Sequence, residues 1–148
     1  IWQRNNELSD LISKHSGQYP IPDRQWIEDQ FWIWIHYGLN KIERGEYLEV
    51  VDHLGFLRNK VLGPLLSLKL NHEPRRIRRA EEKLPQELYA KLKSTLALAE
   101  YQSLLKALLN AAQLYQNIRN PQNINLRMDA EALVLKSLQL TLANHTQS

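Results

Sequence analysis

An all-α fold, an antiparallel bundle of three or four long helices with short helices around it, is what this sequence predicts, on three observations. Apolar residues recur at three- and four-residue spacing over most of the chain. Glycines and prolines punctuate these periodic stretches, at Gly17, Pro20, Pro22, Gly45, Pro74, Pro85 and Pro121. The one strand-like alternation, Leu138-Gln-Leu-Thr-Leu142, has no second strand to pair with, so that segment is also read as helix.

Taken in order, Leu8, Leu11 and Ile12 predict a short amphipathic helix within residues 1–16, ending at Gly17. Two prolines make Gly17–Pro22 a loop. The central helix follows, from Arg24 to Arg44, with Asp23 as its cap and Gly45 as its stop. It is the densest part of the chain, holding three of the four tryptophans within nine positions. Ile27, Phe31, Trp34, Ile35 and Ile42 form one apolar stripe, and Trp26, Ile33 and Tyr37 a second beside it. Such a helix is expected to be packed on more than one side. Its remaining strip is polar: Gln25, Asp29, Trp32, His36, Asn40 and Glu43.

A second long helix, Glu46 to Leu70, folds back on the first because almost no loop separates them. Pro64 lacks an amide hydrogen and crowds the carbonyl of Lys60, so a kink or restart is expected at Gly63-Pro64. After a turn at 71–74, Arg75 to Lys83 reads as a short charged helix stopped by Pro85. Gln86 to Ile118 reads as one long helix through Leu88, Leu92, Leu96, Ala99, Leu105, Leu108, Ala112 and Tyr115, with Ser94-Thr95 as the one place it can bend. The last helix spans Asp129 to Asn144 through Leu133, Val134, Leu138 and Leu142.

At 148 residues the chain is read as one domain, with the 43% hydrophobic and 24% charged content of an ordinary globular protein. It has no cysteine, which excludes disulfides, thiolate metal sites and a cysteine nucleophile, and agrees with an expected cytoplasmic location. No apolar run reaches the roughly 18 residues that span a bilayer, so no membrane partner is expected. The first residues do not read as a signal peptide, and a start at Ile1 leads us to expect a piece of a longer protein. A net charge of +3 is too mild to imply nucleic acid by itself.

Several activities lack their motifs. Five scattered glycines make no phosphate-binding loop of the Walker or dinucleotide type. There is no His-Glu-x-x-His, and Asp29 and His36 stand two turns apart, roughly 10 Å, too far to chelate one metal together. No arginine precedes a histidine by the four to six residues of a helical HEPN ribonuclease.

Two constellations remain. Asp29, Trp32, His36, Asn40 and Glu43 are a candidate small-molecule surface, with the tryptophan stacking on a ring and a carboxylate as base. The plainer reading is the solvated side of a packed helix. Arg75, Arg76, Arg78 and Arg79 are candidate phosphate-binding residues. The plainer reading there is a surface helix on which Glu81 and Glu82 pair with Arg78 and Arg79, leaving Arg75 and Arg76 unpaired.

A helix ending in Lys41-Ile-Glu-Arg-Gly-Glu46, followed by Leu57-Arg-Asn-Lys-Val-Leu-Gly-Pro-Leu-Leu66, resembles the C-terminal helical domain of bacterial nucleotidyltransferases related to the aminoglycoside adenylyltransferases. The aromatic run Phe31–Tyr37 and Pro74-Arg-Arg-Ile-Arg-Arg79 add to the likeness, which spans about residues 5–120. In that family an N-terminal domain carries Gly-Ser and Asp-x-Asp, which hold Mg²⁺ and a nucleoside triphosphate; neither motif occurs here. The resemblance therefore implies a substrate-binding helical domain, 1–148, whose partner is an N-terminal catalytic domain and which does not transfer a nucleotide by itself. It further implies a small-molecule acceptor and, as candidate bases by position, Asp29, Glu43 and Glu46. Two alternatives from other classes are a helical interaction module that binds a partner or forms a homodimer, and a nucleic-acid-binding bundle using Arg75–Arg79.

Overall fold

Asp23 starts the tryptophan-rich central helix. Its carboxylate accepts the Trp26 amide at 3.0 Å, satisfying one of the amides that a helix start leaves unpaired. The computed structural model describes residues 7–14 and 17–146, and every regular element among them is helical. In order these are α1 (Glu7–Lys14), α2 (Arg24–Glu43), α3 (Tyr47–Leu57), a π-helical turn (Arg58–Leu62), α4 (Gly63–Lys69), α5 (Ala80–Lys83), α6 (Gln86–Lys93), α7 (Tyr101–Ile118), a 3₁₀ turn (Pro121–Asn123) and α8 (Met128–Thr146). None of these helices is long and apolar enough to cross a membrane. The α1 helix forms where expected, with Leu11 exposed; the side chains of Leu8 and Ile12 lie outside the described residues.

α2 ends in a Schellman turn. The Gly45 amide reaches the Ile42 carbonyl and the Glu46 amide reaches that of Lys41, both at 3.0 Å, with Gly45 at φ +77°. Most of the first predicted stripe is core: Ile27, Phe31, Ile35 and Ile42 are buried, joined by Leu39, while Trp34 is half-buried at its edge. The second is not. Trp26, Ile33 and Tyr37 are 54%, 59% and 40% exposed. Trp32, placed on the polar strip by its spacing, is 1% exposed and belongs to the core. The heptad position alone does not say which side of a helix receives a neighbour; here α3, α7 and α8 pack on α2 and leave the second stripe open.

The restart expected at Gly63-Pro64 takes the form of the π-helical turn. The Gly63 amide bonds to the Arg58 carbonyl, five residues back, and Pro64 then falls in the first turn of α4, where its missing amide is least costly. Residues 61–66 are buried without interruption, so the turn passes from an exposed Lys60 into the core at Val61 and Leu62.

Two predicted helices are corrected. Arg75–Lys83 is helical only over Ala80–Lys83, because Arg79 takes a left-handed conformation (φ +60°) and residues 74–79 run as a non-helical strap. Gln86–Ile118 is two helices, with a connection at 94–100. There the Ser94 and Thr95 hydroxyls each donate, at 2.7 Å, to the carbonyl three residues back, competing with helical pairing. Arg58 donates to the Thr95 carbonyl at 2.7 Å, and Asn110 to that of Ser94 at 2.9 Å. Leu96 and Ala99, which kept the apolar period, are exposed.

α7 packs against α2, α3, α4, α6 and α8 and buries half of its residues. Tyr115 near its end meets Phe31, with ring centroids 3.8 Å apart, while Tyr101 at its start meets Tyr47. The helix therefore runs antiparallel to α2. Val134 and Leu138 bury one side of α8, whereas Leu133 of the predicted stripe is exposed.

Candidate functional site

The polar strip of α2 is dispersed by the fold. Asp29 and Glu43 lie fourteen residues apart, roughly 21 Å along the helix. Asp29 accepts Arg127 Nε at 2.8 Å and Gln25 Nε2 at 2.9 Å, and these bonds hold its carboxyl below the usual range. Trp32 is inside. His36 and Asn40 are exposed and joined at 3.2 Å between Nε2 and Nδ2. Glu43 is exposed near Tyr101. Glu46 is bound by Lys41 and, at 2.8 Å, by Arg44, and the Lys41 ammonium foremost holds its carboxyl down to about 2. A general base works best with a pKa near the operating pH, so Asp29 and Glu46 are poorly tuned for that task and Glu43 is the exposed carboxylate left.

Sequence reasoning missed Glu28, which is fully buried. Its Oε1 accepts the Arg127 amide at 2.9 Å and Trp32 Nε1 at 3.3 Å, and its Oε2 accepts the Tyr115 hydroxyl at 2.7 Å. Arg119 Nη1 stands 3.2 Å from both oxygens, while its Nη2 donates to Glu131 at 2.7 Å. Burial acts to raise the Glu28 pKa; the Arg127 amide, Tyr115, Trp32 and Arg119 together outweigh it and hold the group ionised. Burial, followed by the Glu28 carboxylate, pushes the Tyr115 hydroxyl well above its ordinary value. Every oxygen lone-pair direction of consequence is occupied, so this cluster is a clamp joining α2, α7 and the entry to α8. The only sequence signal was a carboxylate inside an apolar stripe.

The arginine strap is the better site. It lies so close to α4 that a Cβ on Gly63 would stand 3.1 Å from the Arg76 carbonyl carbon and 2.9 Å from the Arg58 oxygen, a gap that only glycine leaves open. Ser67 Oγ donates to the Arg75 carbonyl at 3.3 Å and pins the strap further. Arg75 is held by Glu73 through Nε and Nη2, at 3.0 and 2.7 Å, and lies 5.2 Å over the Tyr19 ring. Arg79 pairs with Glu82, as its spacing predicted. Arg75 thus has a partner that the sequence reading did not give it, and Arg78 lacks the one it was given. Arg76 and Arg78 form no ion pair among the described residues.

Those two guanidinium groups line two adjoining hollows. One, of about 250 Å³, also takes in Ser67, His72 and Lys83 over an apolar floor of Ile77, Leu84 and Leu92. The other, of about 480 Å³, is walled by Tyr19, Pro20, Ile21, Pro22 and Pro64 with Lys60 beside them, and no carboxylate lines it. Unpaired planar donors on a rigid strap, beside apolar walls, suit a phosphate-bearing ligand. Among the described residues no group of three or more acidic or histidine side chains is placed to hold a metal ion. No family model, curated protein or solved structure matches the chain, so the reading of function rests on this chemistry and on the motif resemblance.

Proposed function

We propose that this chain is the substrate-binding helical part of a nucleotidyltransferase, an enzyme that transfers a nucleoside monophosphate to a hydroxyl of a small acceptor. Catalysis belongs to a separate N-terminal domain, which binds Mg²⁺ and the nucleoside triphosphate. The observation that carries this reading is the pair of unpartnered guanidiniums, Arg76 and Arg78, held on a pinned strap between two hollows. They neutralise phosphate charge presented from the catalytic side, with Lys60 and Lys83 extending the positive field. Among the described residues no group of three or more acidic or histidine side chains is placed to hold a metal, and this reading leaves Mg²⁺ to the catalytic domain. His36, Asn40 and Glu43, the part of the α2 strip that stays exposed, are the surface offered to the acceptor.

Calorimetric titration with inorganic tripolyphosphate and with a nucleoside triphosphate tests the clamp. Binding that falls at least ten-fold in an Arg76→Ala/Arg78→Ala variant is the expected result. Equal binding by the variant, or none by the parent chain, overturns it. In the full-length protein the same variant raises KM for the triphosphate.

A second reading, a helical interaction module, has its own observation. Trp26, Ile33, Tyr37 and Phe56 form an exposed apolar face over Trp34 and His53. Sedimentation discriminates for the homodimer: a dimer in the parent chain that an Ile33→Lys variant loses favours this reading, and a monomer at all concentrations removes self-association through this face.

A further inference from the structure

A third hollow, which shares no lining residue with the two beside the arginine strap, has a different chemistry. It lies between the start of α2, the end of α4 and the end of α7, with a volume of about 660 Å³, within the range of small-molecule sites. Its charged lining is Arg24, Lys69 and Arg119, with no carboxylate. Arg24 and Lys69 form no ion pair among the described residues, whereas Arg119 is already held by Glu28 and Glu131. Two cations are therefore uncommitted at its wall.

The rest of the lining is amide-rich. Asn71, Asn117 and Asn120 contribute, and Asn120 spends its oxygen on the Gln122 amide, leaving its NH₂ as a donor. Gln116, Asn117 and Ile118, the last residues of α7, line it as well, and the last carbonyls of a helix have no intrahelical partner. Acceptors at a helix end, amides and free cations together call for a ligand carrying both hydroxyl donors and a negative group. No aromatic ring lines this hollow, which argues against a nucleobase. At its inner side Arg24, Arg119 and Asn120 also border a recess of about 10 Å³ beside Tyr115, large enough for one water or hydroxyl.

We propose that the hollow formed by Arg24, Lys69 and the α7 end binds a small hydroxylated anion, a sugar or polyol bearing one phosphate or carboxylate. The acidic group sits against Arg24 and Lys69, and the hydroxyls meet the amides and helix-end carbonyls. The site does not depend on the arginine strap. Because Arg119 belongs both to this wall and to the Glu28 clamp, occupancy raises the melting temperature of the whole bundle.

Thermal-shift and calorimetric titrations test it with a hexose monophosphate, a hexuronic acid, the parent hexose, inorganic phosphate and a nucleoside monophosphate. The expected result is that the hexose monophosphate or the hexuronic acid binds at least ten-fold more tightly than the hexose or inorganic phosphate, and which of the two leads identifies the acidic group. An Arg24→Ala/Lys69→Ala variant, checked for an unchanged circular dichroism spectrum, loses that binding ten-fold or more, whereas Arg76→Ala/Arg78→Ala keeps it. Should that alanine pair unfold the chain, Asn117→Asp, an exposed change that adds negative charge at the wall, weakens binding in its place. Equal affinity for inorganic phosphate, tighter binding of the nucleotide, loss that follows Arg76 and Arg78, or no binding of any probe overturns the proposal. Tripolyphosphate binding in the Arg24→Ala/Lys69→Ala variant reports separately on the arginine strap.

Discussion

The Tyr115 hydroxyl donates to Glu28 Oε2 at 2.7 Å, a bond that joins residues 87 positions apart. With Arg119 on the same carboxylate and on Glu131, it makes the end of α7 the place where α2 and α8 are fastened together. A buried carboxylate of this kind is costly when left alone and strongly held when every partner is present. Glu28→Ala removes the acceptor from Tyr115, Trp32, Arg119 and the Arg127 amide at once. The expected loss is about 3–5 kcal/mol, read from urea unfolding at neutral pH. Tyr115→Phe removes a single donor and is expected to cost about 1–2 kcal/mol. Equal losses in the two variants would show that packing, and not the carboxylate, holds this junction.

The same cluster sets the response to acid. The folded pKa of Glu28 lies below its ordinary value of 4.5, as does that of Glu46, at about 2. As pH falls below about 4.5, the unfolded chain takes up protons that the folded chain refuses, so stability present above that pH is lost on the way down. His53 acts with the same sign at higher pH. It is held below its ordinary 6.5, chiefly by burial and against the opposing pull of the Trp34 carbonyl and Glu49. Protonation of the unfolded chain there begins the loss just below 6.5. Urea midpoints are therefore expected to fall in two stages between pH 7 and pH 3. His53→Gln removes the upper stage and Glu28→Gln shrinks the lower one.

Gly63 links the core to the arginine strap. A methyl group there meets backbone on two sides, the Arg58 oxygen at 2.9 Å and the Arg76 carbonyl carbon at 3.1 Å, and neither can rotate away. Gly63→Ala is expected to cost about 1–3 kcal/mol. It also shifts the strap, so tripolyphosphate affinity falls although every arginine remains. A variant that is destabilised yet binds unchanged would separate the strap's position from its charge.

What the sequence made legible were features written within a few residues of one another. Asp23 and Gly45 bounded α2, and Ile27, Phe31, Ile35 and Ile42 marked its buried side, because capping and helical period are local. Pro64 announced a disturbance without its form, since a π-helical turn depends on how neighbours absorb the missing amide. Ser94-Thr95 marked where the helix could bend, but the full break over 94–100 was hidden because Arg58 and Asn110, which hold its carbonyls, are distant in the chain. Glu28 was hidden for the same reason: apart from Trp32, its partners Tyr115, Arg119 and Arg127 lie 87 to 99 positions away. Charge pairing in the strap was misread because a helix was assumed; once Arg79 turns left-handed, the i to i+3 and i+4 geometry that paired Arg78 no longer applies.

The open face of α2 gives the last expectation. Trp26 meets Trp34 edge-on at 5.4 Å, Trp34 meets Phe56 at 5.2 Å, and His53 stacks on Phe56 and meets Tyr37 at a tilt of 60°. Ile33, 59% exposed, stands on this face, and its side chain contributes little to the core. Ile33→Lys is therefore expected to change stability by no more than about 0.5 kcal/mol, the range of surface substitutions away from special features. A larger loss seen only at high protein concentration would mean that the parent chain had been stabilised by self-association through this face. Unfolding midpoints measured over a hundred-fold range of protein concentration decide between the two: constant midpoints in both proteins are expected of a monomer, and a rising midpoint in the parent alone is expected of a dimer.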